Sequence, residues 1–171
     1  MALSSHTATC RCGGTTIELI GAPIASVICH CESCRTAARG FEQDLGAPPT
    51  VTVEGGVEYC LYRKDRVKIG QGAQNLREYR LKPSSPTRRL VAGCCGSPMF
   101  LDFGPGHWLT VYRGRLAQAP EPQMRIMVKD NPPGLALPAS IPAYQTHTPR
   151  LLIRLLVAWA AMGFRRPKIA W

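Results

Sequence analysis

The sequence has no apolar run long enough to cross a lipid bilayer. The longest such run, Leu151–Phe164, has 14 residues and is interrupted by Arg154, whereas a spanning helix needs about 20. Acidic residues are also few, with 11 Asp and Glu against 21 Lys and Arg, and there is no internal repeat or low-complexity block. These absences exclude multi-span membrane proteins, collagen-like chains and coiled coils.

The first ten residues contain neither a basic stretch nor an apolar one, so no secretory signal is visible. We therefore expect a cytoplasmic, reducing location, in which thiols stay reduced. The 8 cysteines are then expected to be metal ligands or redox groups before disulfides. With 171 residues, 45% of them hydrophobic, the chain is suited to one domain with a substantial core.

Positive charge is concentrated in two segments. Residues 63–90 have a net charge of +7, and residues 150–171 have +5 with no acidic residue. These segments could attract an anionic ligand, an acidic partner or a lipid surface, and the alternative is a solvated arginine-rich surface. No nucleic-acid motif such as an RNP sequence or a C2H2 finger is present.

Short runs with the composition of β-strands recur between Gly and Pro residues, which predicts a mainly β fold. The predicted runs are Thr15–Ile20, Ile24–His30, Val57–Tyr62, Val67–Gly70, Asn75–Leu81, Arg89–Val91 and Trp108–Arg113. A short helix is possible over Cys31–Gly40. Residues 118–149, which are rich in Pro, are expected to wrap the domain without regular structure.

Seven cysteines form three clusters: Cys10-x-Cys12, Cys29-x-Cys31-x-x-Cys34 and Cys94-Cys95. Side chains two apart in a strand share a face, so Cys29 and Cys31 can bind one metal ion. Cys34 can reach the same ion from a turn. Three thiolates with an open fourth position are typical of a reactive zinc site, and soft thiolates select zinc over magnesium or calcium.

A closed structural zinc site needs four ligands, and Cys10 with Cys12 supplies two of them. The available second pair is Cys94 and Cys95. Adjacent residues can bind the same ion only on a turn, which Gly93 and Gly96 permit. The alternatives are a redox pair at Cys31 and Cys34, although its usual βαβ context is absent, or a redox switch or buried pair at Cys94 and Cys95.

The remaining candidates have simpler interpretations. Cys60, alone on a predicted strand, is expected to be a core residue. His30 alternates away from the cysteines beside it, which predicts a surface position or a supporting position behind the ligands. His6, His107 and His147 are isolated and are expected to be solvated.

The order C-x-C-G, C-H-C-x-x-C-R and a late C-G-S-P resembles the glutathione-dependent formaldehyde-activating enzyme family, abbreviated GFA. The family shares its domain with centromere protein V. The resemblance covers residues 8–117 and implies a Mss4-like β-tent of antiparallel sheets with zinc sites. Cys10, Cys12 and the late cysteines would hold a structural zinc, and Cys29, Cys31 and Cys34 the catalytic one, giving one or two Zn²⁺ ions per chain.

One departure from the family pattern is visible. Members usually have C-x-x-C-G before the late turn, and this position is occupied here by Ala92, so Cys94 is the expected substitute. The resemblance implies a carbon-sulfur lyase that joins formaldehyde to glutathione as S-hydroxymethylglutathione, or reverses that reaction. Arg35 and Arg39, directly after Cys34, could bind the carboxylates of glutathione.

Residues 150–171 are predicted to form a basic amphipathic C-terminal helix, with Leu151–Phe164 as its regular part. A helix that is apolar nearly all round needs cover on more than one side. We expect a homodimer contact, with peripheral binding to anionic lipid as the alternative. The alternative function for the whole chain is a non-enzymatic zinc-stabilised binding module for an acidic partner or a membrane surface.

Overall fold

Two β-sheets and two α-helices form the computed structural model, which describes residues 4–171. The strands are β1 (Ser5–Thr9), β2 (Thr16–Ile20), β3 (Ala25–Cys29), β4 (Val57–Arg63), β5 (Val67–Ile69), β6 (Leu76–Tyr79), β7 (Thr87–Ala92), β8 (Ser97–Phe103), β9 (Trp108–Tyr112) and β10 (Met124–Ile126). The helices are α1 (Glu32–Leu45) and α2 (Pro149–Ala160).

The larger sheet has seven strands in the order β10-β3-β4-β9-β8-β7-β6, and the smaller has three in the order β1-β2-β5. Neighbouring strands are antiparallel, except that β10 pairs in parallel with β3. The predicted mainly β fold with antiparallel sheets and a C-terminal helix is therefore confirmed.

The seven-stranded sheet is buried on both faces. In β4, Tyr59 and Leu61 belong to a core shared with α1 and α2. Cys60 and Tyr62, which alternate with them, belong to a second core shared with the three-stranded sheet. Because side chains along a strand point to opposite faces, one strand contributes to both cores. Cys60 is fully buried, and its prediction as a core residue is confirmed.

The seven predicted runs each contain or overlap an observed strand, and β1, β8 and β10 lie outside them. Strand β8 contains Pro98, and a proline in a sequence usually counts against a strand because it lacks the backbone N–H that the sheet needs. The register between β7 and β8 shifts between Leu90 and Val91, the residue that pairs with Pro98. A β-bulge at this position lets the strand contain a proline.

The Pro-rich segment 118–149 contains regular structure, which differs from the expectation. Met124–Ile126 forms β10, and a single 3₁₀ turn follows. The Asp130 carboxylate accepts a hydrogen bond from the first backbone N–H of α1 at 3.4 Å. The Asn131 side-chain oxygen accepts another from Arg35 at 3.0 Å. The segment therefore fixes the beginning of α1.

Helix α1 is longer than the helix that the sequence predicted over Cys31–Gly40. Its inner face buries Ala37, Ala38 and Phe41 against the seven-stranded sheet. The helix ends where Gly46 takes a left-handed conformation with φ of 60°, and the N–H of the next residue, Ala47, donates to the Phe41 carbonyl at 3.0 Å. This is a common way to end a helix.

Helix α2 begins at Pro149, and the Thr148 hydroxyl accepts the Leu151 N–H at 3.0 Å. Proline in the first turn and threonine at the N-cap both stabilise a helix start. The regular helix ends at Ala160, before the predicted end at Phe164, and Gly163 follows with a φ of 62°. The basic helix expected over 150–171 is thus observed only in its first half.

His107 fixes α2 to the sheet. Its Nε2 atom lies 2.8 Å from the Leu155 carbonyl oxygen, and its ring stacks on Trp159 with 5.4 Å between centroids. The prediction that His107 is solvated was wrong, because the ring is buried between β9 and the helix. His147 is exposed, as predicted.

The chain after α2 returns to the seven-stranded sheet. Trp171 packs against Phe100 with 5.9 Å between ring centroids, and the Arg88 guanidinium lies 4.4 Å from the Trp171 ring. The last residue therefore belongs to the periphery of the core shared with the three-stranded sheet.

One apolar stripe of α2, formed by Leu151, Leu155 and Ala158, is buried against the sheet. A second stripe is exposed, with exposed fractions of 54% for Leu152, 60% for Ile153, 54% for Leu156 and 62% for Val157. One sheet face covers only one stripe of the helix, as the sequence indicated. Within residues 4–171, no helix is long and apolar enough to span a membrane.

Several basic residues of the 63–90 segment make internal ion pairs. Lys64 is buried and lies 2.7 Å from the Asp102 carboxylate, which is 1% exposed and also pairs with Arg88. The Lys64 ammonium also donates to the Gly106 carbonyl at 2.8 Å. Part of the +7 charge therefore has a structural role.

We expect Asp102→Asn to lower the free energy of unfolding by about 3–5 kcal/mol, because it leaves the buried Lys64 ammonium without its counter-charge. Asp65→Asn, which removes the partner of the more exposed Arg63, should cost about 0–1 kcal/mol. Urea denaturation of both variants measures the difference. Equal losses would contradict the buried role of Asp102.

Candidate functional site

Four predicted ligands converge where the β1–β2 turn meets the β7–β8 turn. The Sγ atoms of Cys10, Cys12, Cys94 and Cys95 all lie within 4.8 Å of one another. The Cys10–Cys12 distance is 3.6 Å, Cys10–Cys94 is 3.8 Å and Cys12–Cys94 is 3.3 Å. A tetrahedral ion with metal–sulfur bonds of about 2.3 Å separates its sulfurs by about 3.8 Å. The four side chains therefore fit a closed four-thiolate metal site.

The turn at Gly96 allows two adjacent cysteines to face one ion. The N–H groups of Cys95 and Gly96 both donate to the Ala92 carbonyl, at 3.2 and 2.9 Å. Gly96 has a φ of 71°, and a Cβ at this position would lie 2.2 Å from the Leu45 carbonyl oxygen. Only glycine fits this turn. Ala92, at the position where the family pattern has a cysteine, is buried in the core.

Hydrogen-bond donors surround these sulfurs. The Thr15 N–H donates to Cys10 Sγ at 3.2 Å, and the Ser97 hydroxyl lies 3.2 Å from Cys95 Sγ. Burial acts to raise the pKa of Cys95, but hydrogen bonds from Ser97 and from the Cys12 N–H outweigh it and lower that pKa to about 6. The thiolate form that binds metal ions is therefore stabilised at Cys95, whereas burial and the hydrogen bond with Cys12 raise the pKa of Cys94 to about 12.

The second group lies where β3 leads into α1. Cys29 is the last residue of β3, Cys31 is the residue before α1, and Cys34 is in its first turn. Their three Sγ atoms lie within 4.8 Å of one another, and no fourth Cys, His, Asp or Glu of residues 4–171 joins them. The sequence prediction of a three-thiolate group with an open position agrees with this geometry.

Negative charge is favoured at Cys31. Hydrogen bonds from the Cys29 and Cys34 thiols, and from the Ser33 hydroxyl 3.3 Å away, hold the pKa of Cys31 well below its usual range. The same hydrogen bond to Cys31, together with burial, raises the pKa of Cys29. The N-terminus of α1 adds a favourable positive potential. The three cysteines thus form an environment suited to a thiolate.

All three cysteines line a cavity of about 370 Å³ on the helix side of the seven-stranded sheet, roofed by α2. The wall consists of Val27, Cys29, Cys31, Ser33, Cys34, Tyr59, Leu61, Thr87, Arg89, Leu101, Phe103, Trp108, Thr110, Ile126, His147, Leu151, Leu152 and Leu155. A volume of this size is typical of small-molecule sites.

Arg89 is the one arginine on the cavity wall, which contains no acidic residue. Its side chain is 2% exposed and donates to the Ser33 carbonyl at 3.3 Å, and its Nε has no hydrogen-bond partner among residues 4–171. Buried arginine with unused donors is suited to an anionic ligand. From the sequence, Arg89 was identified only as part of the basic segment 63–90, because its position on the helix side of β7 depends on the tertiary fold.

Arg35 and Arg39 lie elsewhere. The Arg35 guanidinium is buried and donates to the Asp130 carbonyl at 2.5 Å, and Arg39 is exposed on α1. Neither lines the cavity. His30 is fully buried, and its Nδ1 lies 3.0 Å from the Asn131 side-chain oxygen. A surface position for His30 is therefore wrong, because the ring is buried and its hydrogen-bond partner is Asn131.

Comparison with known proteins gives one family match. The family described as glutathione-dependent formaldehyde-activating enzyme matches residues 5–130. No curated protein matches the sequence. Among solved structures, the crystal structure of a Rhodobacter sphaeroides protein is similar at 17% identity, with 81% of this chain and 99% of that chain covered and a TM-score of 0.47. The family match includes all seven clustered cysteines and ends before α2.

We expect the natively purified protein to contain two thiophilic metal ions per chain. Cys12→Ser should lower the content to one ion and decrease the melting temperature, because it opens the four-thiolate site. Cys31→Ser should also lower the content to one. Native mass spectrometry with elemental analysis measures both. Cys60→Ala is the control and should retain two ions, and a metal-free native protein would contradict both sites.

Proposed function

Because the chain belongs to the glutathione-dependent formaldehyde-activating enzyme family, we propose that it is a carbon-sulfur lyase acting on a thiol–aldehyde adduct such as S-hydroxymethylglutathione. The observation that carries this proposal is the cavity in which three cysteine sulfurs lie on the same wall as a buried arginine. The family is named for an activity that depends on glutathione and formaldehyde, so a glutathione-related thiol is the first substrate to test.

We further propose Zn²⁺ as the metal in both cysteine groups, because soft thiolates prefer it to magnesium or calcium. The four-thiolate group would hold a structural ion, and Cys29, Cys31 and Cys34 would hold an ion with an open position. Zinc at that position would supply affinity for the substrate sulfur and would lower the pKa of the substrate thiol. The eight free cysteines favour a reducing compartment such as the cytoplasm.

The reaction transfers one proton and makes one bond. In the synthetic direction, the thiol loses its proton, its sulfur attacks the aldehyde carbon, and the carbonyl electron pair takes up a proton to give a hydroxyl group. The reverse direction breaks the carbon–sulfur bond. The hydroxyls of Ser33, Thr87 and Thr110 are on the cavity wall and can donate hydrogen bonds to the aldehyde oxygen, which becomes negative as the bond forms.

Arg89 is the residue that we propose to bind a carboxylate of the thiol substrate. It is buried on the cavity wall and has an unused donor, and a guanidinium can bind a carboxylate through two parallel hydrogen bonds. Arg35 donates to the Asp130 carbonyl and to Asn131 instead. Our proposal therefore assigns to Arg89 the role that the sequence analysis expected of Arg35 and Arg39.

We expect the protein to accelerate exchange between formaldehyde and S-hydroxymethylglutathione, measured by NMR exchange spectroscopy with ¹³C-formaldehyde. Cys31→Ser should abolish the acceleration, whereas Cys60→Ala should retain it. Arg89→Gln should raise the KM for glutathione about tenfold or more, because a charge-assisted hydrogen bond is lost.

Arg39→Gln is the matched control for Arg89→Gln, since Arg39 is exposed and does not line the cavity. If Arg39→Gln raised the KM and Arg89→Gln did not, the carboxylate would bind at α1, and the assignment to Arg89 would be wrong. Exchange at the uncatalysed rate with metal-loaded protein would refute the lyase activity.

A second candidate function is peripheral binding to an anionic lipid surface through α2. The exposed stripe from Leu152 to Val157 is apolar, and no acidic residue follows Asp130 in the sequence, whereas five basic residues do. Arg150 and Arg154 lie on α2, and the other three follow it. Two copies packed through this helix would bring like charges together, while anionic lipid is complementary in charge. The charge therefore favours the lipid surface over the homodimer contact, which stays a prediction.

We expect the protein to co-sediment with vesicles that contain phosphatidylserine and to remain in solution with neutral phosphatidylcholine vesicles. Ile153→Gln with Val157→Gln should weaken binding, because both residues are exposed and neither lines the cavity. Light scattering of the same samples reports the mass. A dimer that does not bind vesicles would refute the lipid interpretation in favour of the homodimer.

A further inference from the structure

The cavity is larger than the hydroxymethyl group of the family's named adduct requires. Its volume is about 370 Å³, whereas a water molecule, somewhat smaller than a hydroxymethyl group, takes about 30 Å³ in the liquid. The bulk of glutathione is polar and charged, and this part of a ligand loses hydration when it enters an apolar compartment. A formaldehyde adduct therefore leaves much of this cavity without a matching ligand group.

Most of the cavity wall outside the three cysteines is apolar. Leu101, Phe103 and Trp108 contribute from β8 and β9, and Leu151 and Leu155 contribute from α2. These residues and the three cysteines line the same cavity, so a ligand whose sulfur lies beside the cysteines can place an apolar substituent on this surface. Burial of an apolar substituent on this surface is favourable, by about 25 cal/mol per Å².

The charge of the wall also restricts the ligand. Arg89 can pair with one carboxylate, and no Asp or Glu is on the wall to pair with an ammonium group. An amino-acid head group that entered the apolar compartment would lose its hydration without a counter-charge. The zwitterionic end of a glutathione-like thiol is therefore expected at the mouth, and the other substituent of the sulfur is expected inside.

We propose that the cavity accepts adducts whose aldehyde-derived group is apolar and has several carbons, so that the substrate aldehyde is an aliphatic or aromatic aldehyde larger than formaldehyde. This inference rests on the proposed lyase function. In the reaction, the thiol sulfur bonds to the carbonyl carbon of this aldehyde and the oxygen takes up the proton, as with formaldehyde. The larger alkyl or aryl group then packs against the apolar wall.

Helix α2 supplies the roof of the apolar wall, opposite the contribution of the sheet residues. The family match ends at residue 130, and α2 begins at Pro149. Leu151, Leu152 and Leu155 form the roof of the cavity, and His107 and the Thr148 cap hold the helix in place. Specificity for the aldehyde therefore depends on a part of the chain that follows the family domain.

Binding of unreactive analogues tests the proposal without any turnover. S-methylglutathione and S-hexylglutathione differ only in the apolar group on sulfur, and calorimetry of the metal-loaded full chain measures both dissociation constants. S-hexylglutathione should bind at least tenfold more tightly, because each buried methylene contributes about fourfold. Equal affinities would overturn the proposal.

Two leucines of α2 form a matched pair for this measurement. Leu152 and Leu156 are both 54% exposed and lie one turn apart, but only Leu152 lines the cavity. Leu152→Gln should weaken S-hexylglutathione binding roughly three- to tenfold more than S-methylglutathione binding. Leu156→Gln should change neither. Equal effects of the two substitutions would overturn the role of α2.

Turnover separates this inference from the lyase function. With glutathione as the thiol, kcat/KM should be higher for hexanal than for formaldehyde, and Leu152→Gln should lower the ratio of the hexanal value to the formaldehyde value. Turnover of formaldehyde without preferential binding of S-hexylglutathione would refute the apolar site alone. Preferential binding without turnover of either aldehyde would refute the lyase function and leave an apolar ligand site.

Discussion

Burial of both faces of the seven-stranded sheet is the constraint on which the rest of the structure depends. A sheet with two apolar faces needs a layer on each side, and here one layer is the three-stranded sheet and the other is α1 with α2. Cys10 belongs to the core on the first side, and Cys29 and Cys34 belong to the core on the second. The two thiolate groups therefore lie in separate layers, and only one of them adjoins the cavity.

The second group depends on polar contacts that reach across the sequence. The Asn131 side-chain oxygen lies 3.0 Å from both His30 Nδ1 and an Arg35 nitrogen, and Asp130 contacts the beginning of α1. These residues fix the turn between β3 and α1 from behind. His30 and Arg35 are next to the cysteines in sequence, but their polar atoms contact Asn131. Neither side chain therefore lines the cavity.

Local spacing was sufficient to group Cys29, Cys31 and Cys34, because a strand with period two, a turn and a helix start bring them together. The group of Cys10, Cys12, Cys94 and Cys95 joins segments 84 residues apart, and the sequence indicated it only through the need of a closed zinc site for four ligands. The sequence was not sufficient for Arg89. Its side chain lies on the face of β7 that the helices cover, and only the tertiary fold shows which face that is. His107 was predicted to be solvated because its partner, the Leu155 carbonyl, is 48 residues away in the sequence. The same holds for β10, whose three residues form a strand only because β3 offers an unpaired edge.

The position of β10 also has a consequence for the order of biosynthesis. All eight cysteines have been synthesised by residue 95, but the outer edge of β3 is completed only by residues 124–126, and the roof over the cavity only by α2. During translation, the nascent chain therefore has an unpaired strand edge beside uncovered thiols, a combination prone to aggregation and oxidation. Early capture of a metal ion by these thiols would protect the chain until β10 and α2 leave the ribosome.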